Sequence, residues 1–142
     1  MTSPATTDIL ISEVGPRDGL QSVKATMPTA DKCRWIDSLV AAGLREIEVA
    51  SFVPAHLLPQ MADAGDVMRT VAPREGVSFP VLVPNLKGLE AALAAGAHGL
   101  KVFPAEMITP QVLKSWRSVL PTSRVLLPVG GVGADNLASY RS

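Results

Sequence analysis

Glu13-Val14-Gly15-Pro16-Arg17-Asp18-Gly19-Leu20-Gln21 follows a short apolar run, Asp8-Ile9-Leu10-Ile11-Ser12, and precedes a polar loop and a helix. The run reads as a buried strand, so the stretch sits where a strand ends. In parallel α/β proteins that edge is where chemistry collects. Gly15 and Gly19 accept backbone angles that other residues avoid, and Pro16 fixes the turn. Arg17 beside Asp18 has two readings: an idle surface ion pair, or a charged pair at the C-terminal rim of a sheet.

Outward from this stretch, strand and helix alternate. Strands are expected at 8–14, 46–52, 79–83, 99–103 and 124–129. After the long loop to Pro28, Thr29 is the expected cap of a helix with Asp31 in its first turn. Cys33, Ile36, Leu39, Val40 and Leu44 recur at three- and four-residue spacing along it, and Gly43 ends it. Met61, Val67, Met68 and Val71 mark a second helix, stopped by Pro73. Leu86 to Ala95 is an Ala-rich third with Gly96 as its stop. Pro110 to Leu120 is a fourth, and a fifth begins at Asp135. Strands that are apolar on both faces and separated by helices mean a parallel sheet covered on both sides. The expectation is one α/β domain over 1–142, a partial TIM barrel of about five βα units, with an open five-stranded flavodoxin-like sheet as the alternative.

Composition narrows the function. Thirteen basic residues balance thirteen acidic ones in 142, 47% of residues are hydrophobic and 18% charged. That excludes an electrostatic nucleic-acid binder and a disordered tail. Cys33 is the single cysteine, so neither a disulfide framework nor a cysteine zinc site is expected, and a buried, inert thiol is. No apolar run approaches the ~20 residues of a membrane span. Met1 to Thr7 lack the basic start and apolar core of a secretory signal, so the cytoplasm is the expected compartment.

A second chemical stretch is His98-Gly99-Leu100-Lys101-Val102-Phe103-Pro104-Ala105-Glu106. A lysine inside an apolar strand is either an amine poised for carbonyls or an edge residue reaching solvent.

Residues 13–21, together with Glu46-Ile47-Glu48-Val49-Ala50-Ser51-Phe52-Val53, Leu58-Pro59-Gln60-Met61-Ala62-Asp63 and Val83-Pro84-Asn85-Leu86-Lys87-Gly88, resemble the hydroxymethylglutaryl-CoA lyases. These belong to a wider group of metal-dependent TIM-barrel lyases and carboxyl-transferases. The resemblance covers about residues 8–97. Leu100-Lys101-Val102-Phe103-Pro104-Ala105-Glu106, Pro110 to Lys114, Pro128-Val129-Gly130-Gly131-Val132 and Asn136-Leu137-Ala138 are similar to the Schiff-base aldolases of 2-keto-3-deoxy-6-phospho-sugar acids, the galactonate branch above all. That likeness covers about 98–142, so the chain reads as a join of two lyase families near Glu90–Ala97.

The first resemblance implies that Asp18 binds a divalent metal (Mg or Mn), that Arg17 stabilises an enolate oxygen and that Gln21 binds substrate. The remaining ligands, a His-x-His strand and a later Asn, match nothing here, so the ligand set is incomplete. The second implies an imine at Lys101, which needs no cofactor, and a phosphate held by the backbone of Gly130 and Gly131. Both give Glu48 an inward position, as the acid/base beside Lys101 or as an ion-pair partner of Arg17, with Glu46 on the same face and Glu13 nearby. The chemistry shared by both is carbon–carbon cleavage through an enolate or enamine, on an acyl-CoA or a keto sugar acid. A non-catalytic fragment is the reading from another class. Open sheet edges lead to an expected homo-oligomer.

Overall fold

The computed structural model describes residues 9–141. Its elements are β1 (Ser12–Glu13), a π-helical turn (Gly15–Gly19), α1 (Thr29–Ala41), β2 (Glu46–Ile47), β3 (Ala50–Ser51), α2 (Ala64–Val71), β4 (Pro80–Val83), α3 (Leu86–Ala94), β5 (Gly99–Val102), α4 (Pro110–Val119), β6 (Val125–Pro128) and α5 (Leu137–Tyr140). The alternation is the one expected, with α5 starting two residues later than Asp135. Asp8 lies outside the described residues. The expected strand before Val14 is shorter and more open than its apolar run suggests: Ile9, Leu10 and Ile11 are 74%, 63% and 66% exposed. Among the described residues β1 pairs only with β2, which leaves that run at a sheet edge.

All pairings are parallel, in the orders β1-β2 and β3-β4-β5-β6. β2 and β3 are the two halves of the single strand expected at 46–52. Ile47 N–H donates to Ser78 O and Val49 N–H to Pro80 O, at 3.0 and 3.3 Å, but the next donor to reach that strand is Phe52, to Leu82 O at 2.8 Å. Three residues there face two on the partner, which is a β-bulge at Val49–Ala50. The strands therefore lie side by side in chain order. That is the wall of a barrel, and it departs from the flavodoxin-like order, in which the first two strands exchange places. The fold is α/β, a partial TIM barrel.

The helices cover the outer face. Ile36, Ile47, Met68, Val71, Phe79, Val81, Leu89 and Leu100 have at most 1% of their surface exposed and form one core with Cys33. α1 and α3 end in the same device. Gly43 and Gly96 take φ of 97° and 91°. Gly43 N–H bonds Val40 O while Leu44 N–H bonds Leu39 O, and Gly96 and Ala97 bond Leu93 O and Ala92 O in the same way. Asn85 caps α3 by accepting from Gly88 N–H at 2.9 Å, and Thr109 caps α4 by accepting from Val112 N–H at 3.4 Å. Thr29 is not a cap. Pro28 holds the cap position and Thr29 is the first helical residue, where its hydroxyl donates to Asp63 Oδ2 at 2.7 Å.

Cys33 is buried, as expected. Burial pushes its thiol above the ordinary range, and a hydrogen bond with Thr70 offsets only part of the shift. A raised folded-state pKa contributes stability that is complete below the unfolded thiol's range and is lost as pH rises through the folded value. Two results follow. The native thiol resists a disulfide reagent at pH 8 that labels it at once in denaturant, and urea midpoints hold level to about pH 8.5 before falling.

Candidate active site

The register places Ser51, Leu82, Lys101 and Leu127 in one row across β3, β4, β5 and β6. Glu46 lies opposite Ser78 on the same inner face, and Glu48 follows it there by strand alternation. Without the bulge, Glu48 and Ser51 would face opposite sides, since their numbers differ by an odd count. The extra residue is taken up on the outer side, where Val49 and Ala50 are both 1% exposed.

Glu48 is fully buried, and a buried carboxylate needs partners for both oxygens. It has two cations. Arg17 donates from Nε to Oε1 at 2.6 Å, and Lys101 donates from Nζ to Oε2 at 2.6 Å. The π-helical turn makes the first contact geometrically available. Both Arg17 and Asp18 N–H groups bond Val14 O, which winds the chain back over the end of β1 and turns Arg17 inward. Such one-turn π-helices recur at functional sites. Arg17 Nη1 also donates to Asp18 Oδ1 at 2.9 Å, and Gln21 Nε2 donates to the same oxygen at 3.0 Å.

The predicted residues Arg17, Glu48 and Lys101 therefore form one chain of charge, and Asp18 and Gln21 join it. A cavity of about 340 Å³ opens onto it, lined by Arg17, Asp18, Gln21, Ser51, Lys101 and the apolar Val53, Leu82, Phe103 and Val129. Lys101 keeps 22% of its side chain open there, whereas Glu48 stands behind it, away from the cavity surface. Glu13 takes a different role. Its Oε1 accepts from Gly15 N–H at 2.6 Å and fixes the turn.

Gly130 and Gly131, expected at a phosphate, follow the cavity residue Val129. Both need the left-handed region, with φ of 87° and 71°. A β-carbon on Gly130 would meet the Phe103 ring at 2.8 Å, and one on Gly131 would meet Glu106 Cγ at 2.1 Å. The Glu106 side chain thus packs against Gly131, and its carboxylate opposes an anion at that point.

Asp18 was the expected metal ligand. Its side chain is 54% exposed and one oxygen is already shared by Arg17 and Gln21. Among the described residues no three His, Cys, Asp or Glu side chains come together, while a hard divalent cation takes about six oxygens. The residues present do not by themselves fit a metal site.

Ser51 escaped the sequence reading. Its hydroxyl is buried on the cavity wall with no hydrogen-bond partner among the described residues. The only signal was a lone hydroxyl ending an apolar strand, and the unseen bulge hid which way it faced. Ser51→Ala removes a buried polar group that no protein partner satisfies among the described residues. Melting curves should show stability unchanged or raised by about 1 kcal/mol.

No helix among the described residues is long and apolar enough to cross a membrane. Residues 8–116 match the HMGL-like family model, a match that runs past the expected join at 97. The mitochondrial hydroxymethylglutaryl-CoA lyase of Gallus gallus is 52% identical over 97 residues, which are 68% of this chain and 33% of that protein. The chain spans about a third of the length of the curated relatives it matches. The hydroxymethylglutaryl-CoA lyase structure from Pseudomonas aeruginosa aligns with a TM-score of 0.67 at 40% identity, over 78% of this chain and 42% of that one. An HMG-CoA lyase from Acinetobacter baumannii, solved with coenzyme A and 3-methylmalate, aligns with a TM-score of 0.70 at 28% identity, over 82% and 43%. A structure of native KDPGal shares the fold over 96% of this chain and 79% of its own, with a TM-score of 0.51 at 19% identity. On the family match and the lyase relatives together, the chain belongs to the HMGL-like family of TIM-barrel lyases.

Proposed function

We propose that this chain takes part in carbon–carbon cleavage of the hydroxymethylglutaryl-CoA lyase kind, on a 3-hydroxyacyl thioester. The observation that supports it is a buried carboxylate, Glu48, clamped between two cations at the edge of a cavity. In such a cleavage the 3-hydroxyl loses its proton, the C2–C3 bond breaks, and the electron pair moves onto the thioester carbonyl as an enolate. A fixed cation at that oxygen lowers the barrier. Arg17 is that cation, and Glu48 and Asp18 hold its guanidinium in place. Lys101 faces the substrate. Once its proton passes to Glu48 Oε2 across their 2.6 Å contact, the free amine accepts the hydroxyl proton and then delivers it to the enolate carbon. The coenzyme A and 3-methylmalate held by the Acinetobacter relative support a small acid on a thioester carrier as the ligand class.

The Lys101–Glu48 contact favours a second reading. The same proton transfer frees an amine that can attack the keto carbon of a 4-hydroxy-2-keto acid. Glu48 returns its proton to the hydroxyl that leaves as water, and its carboxylate then takes the 4-hydroxyl proton as the bond breaks between C3 and C4 with the electron pair drawn into the iminium. One set of assays separates the two. Release of acetoacetate from hydroxymethylglutaryl-CoA, assayed with and without Mg or Mn and lost in Arg17→Gln, supports the thioester reading. Borohydride trapping of pyruvate on Lys101, read by mass spectrometry and lost in Lys101→Met, supports the imine. If the chain does neither, both lyase readings fall and the inert fragment stands. Cytoplasmic location and self-association through the open edges of β1 and β6 belong to the same proposal. Light scattering showing a stable monomer would remove the second.

A further inference from the structure

Lys32 is 2% exposed and plays no part in the chemistry above. A buried ammonium is costly unless it is paired with a counter-charge, and this one is. Its Nζ donates to Gln60 O at 2.6 Å and to Asp63 Oδ1 at 2.5 Å. The other Asp63 oxygen accepts from Thr29. The Gln60 side chain reaches the opposite way and donates from Nε2 to Val23 O at 2.7 Å. Two segments leave the cavity mouth. One starts at Gln21 and runs to Pro28, and the other starts at Val53 and ends at Asp63. Gln21 and Val53 both line the cavity. Through Gln60 the two segments are fastened to each other, and through Lys32 they are fastened to α1.

We propose that Lys32 is a positioning residue that holds both mouth segments in register, so that Gln21 and Val53 keep the cavity shaped for its ligand. The part of this inference that concerns turnover rests on the lyase reading; the part that concerns the segments does not. The test is amide hydrogen exchange on the whole chain with Lys32→Met, a change that keeps length and loses charge. Amides in 21–28 and 54–62 are expected to exchange about tenfold faster, with β4 and β5 unchanged. Faster exchange everywhere would show a merely structural role, and no change anywhere would show an idle pair; either overturns the proposal. Should Lys32→Met not fold, Gln60→Ala decides. It removes only the staple to Val23, and 21–28 alone should loosen. In acetoacetate release, Lys32→Met should raise KM about tenfold and hold kcat within about threefold. A loss confined to kcat would count against positioning of the mouth. A wild-type chain without turnover would sink the lyase reading, while the exchange result still judges this one.

Discussion

Glu48→Ala should lower the melting temperature by about 10 °C, roughly 3 kcal/mol for a domain of this size. The loss comes from what is left behind. Removing one member of a buried ion pair typically costs ~3–5 kcal/mol, because the survivor keeps its charge and loses its partner. Here two cations survive. Arg17 retains Asp18, and Lys101 retains some access to solvent, so the lower end of that range applies. Glu48→Gln keeps the shape and offers one acceptor and one donor where two acceptors are needed. It can serve Arg17 or Lys101 but not both, and its loss should be smaller than that of alanine. Circular dichroism melts of the three proteins give the order. If glutamine and alanine melt with wild type, the clamp contributes nothing to the fold.

Arg17→Gln should lower kcat/KM for acetoacetate release by about 100- to 1,000-fold, the size of effect seen when one preorganised donor to a developing oxyanion is lost. Arg17→Lys should rescue little. A lysine is a single point of charge, whereas Arg17 uses Nε for Glu48 and Nη1 for Asp18 at the same time. Steady-state kinetics on folded variants test this, with the melts as control. A lysine variant close to wild type would mean that charge alone suffices and that the forked geometry is incidental.

The barrel wall was legible because its signals are local. Gly43 and Gly96 stop helices where the chain needs a left-handed residue, and apolar runs such as Pro80–Val83 announce strands on their own. Lys101 was legible as a candidate because a charge in an apolar strand needs a reason, Arg17 because it stands beside Asp18 where a strand ends, and Glu48 because both resemblances give it an inward position. What failed to show depends on partners distant in sequence. Thr29 reads as a cap, but the helix begins one residue earlier than that reading needs, with Pro28 at the cap and the Thr29 hydroxyl donating to the distant Asp63. Lys32 sits in a helical pattern that gives no hint of a buried carbonyl from Gln60. Val49 and Ala50 are small or branched apolar residues in an apolar strand, with no glycine to mark a change of register. The one-turn π-helix at Gly15–Gly19 is closed by Leu20 N–H reaching back five residues to Gly15 O, a bond that spacing alone does not announce.

That change of register has an evolutionary corollary. A sibling lacking either Val49 or Ala50 would present the same interior side chains, because the surplus position projects solely toward the helical layer beside α2. Insertions and deletions at this point are thus nearly invisible to a bound ligand, and the second barrel strand can vary in length while its chemistry stays in place.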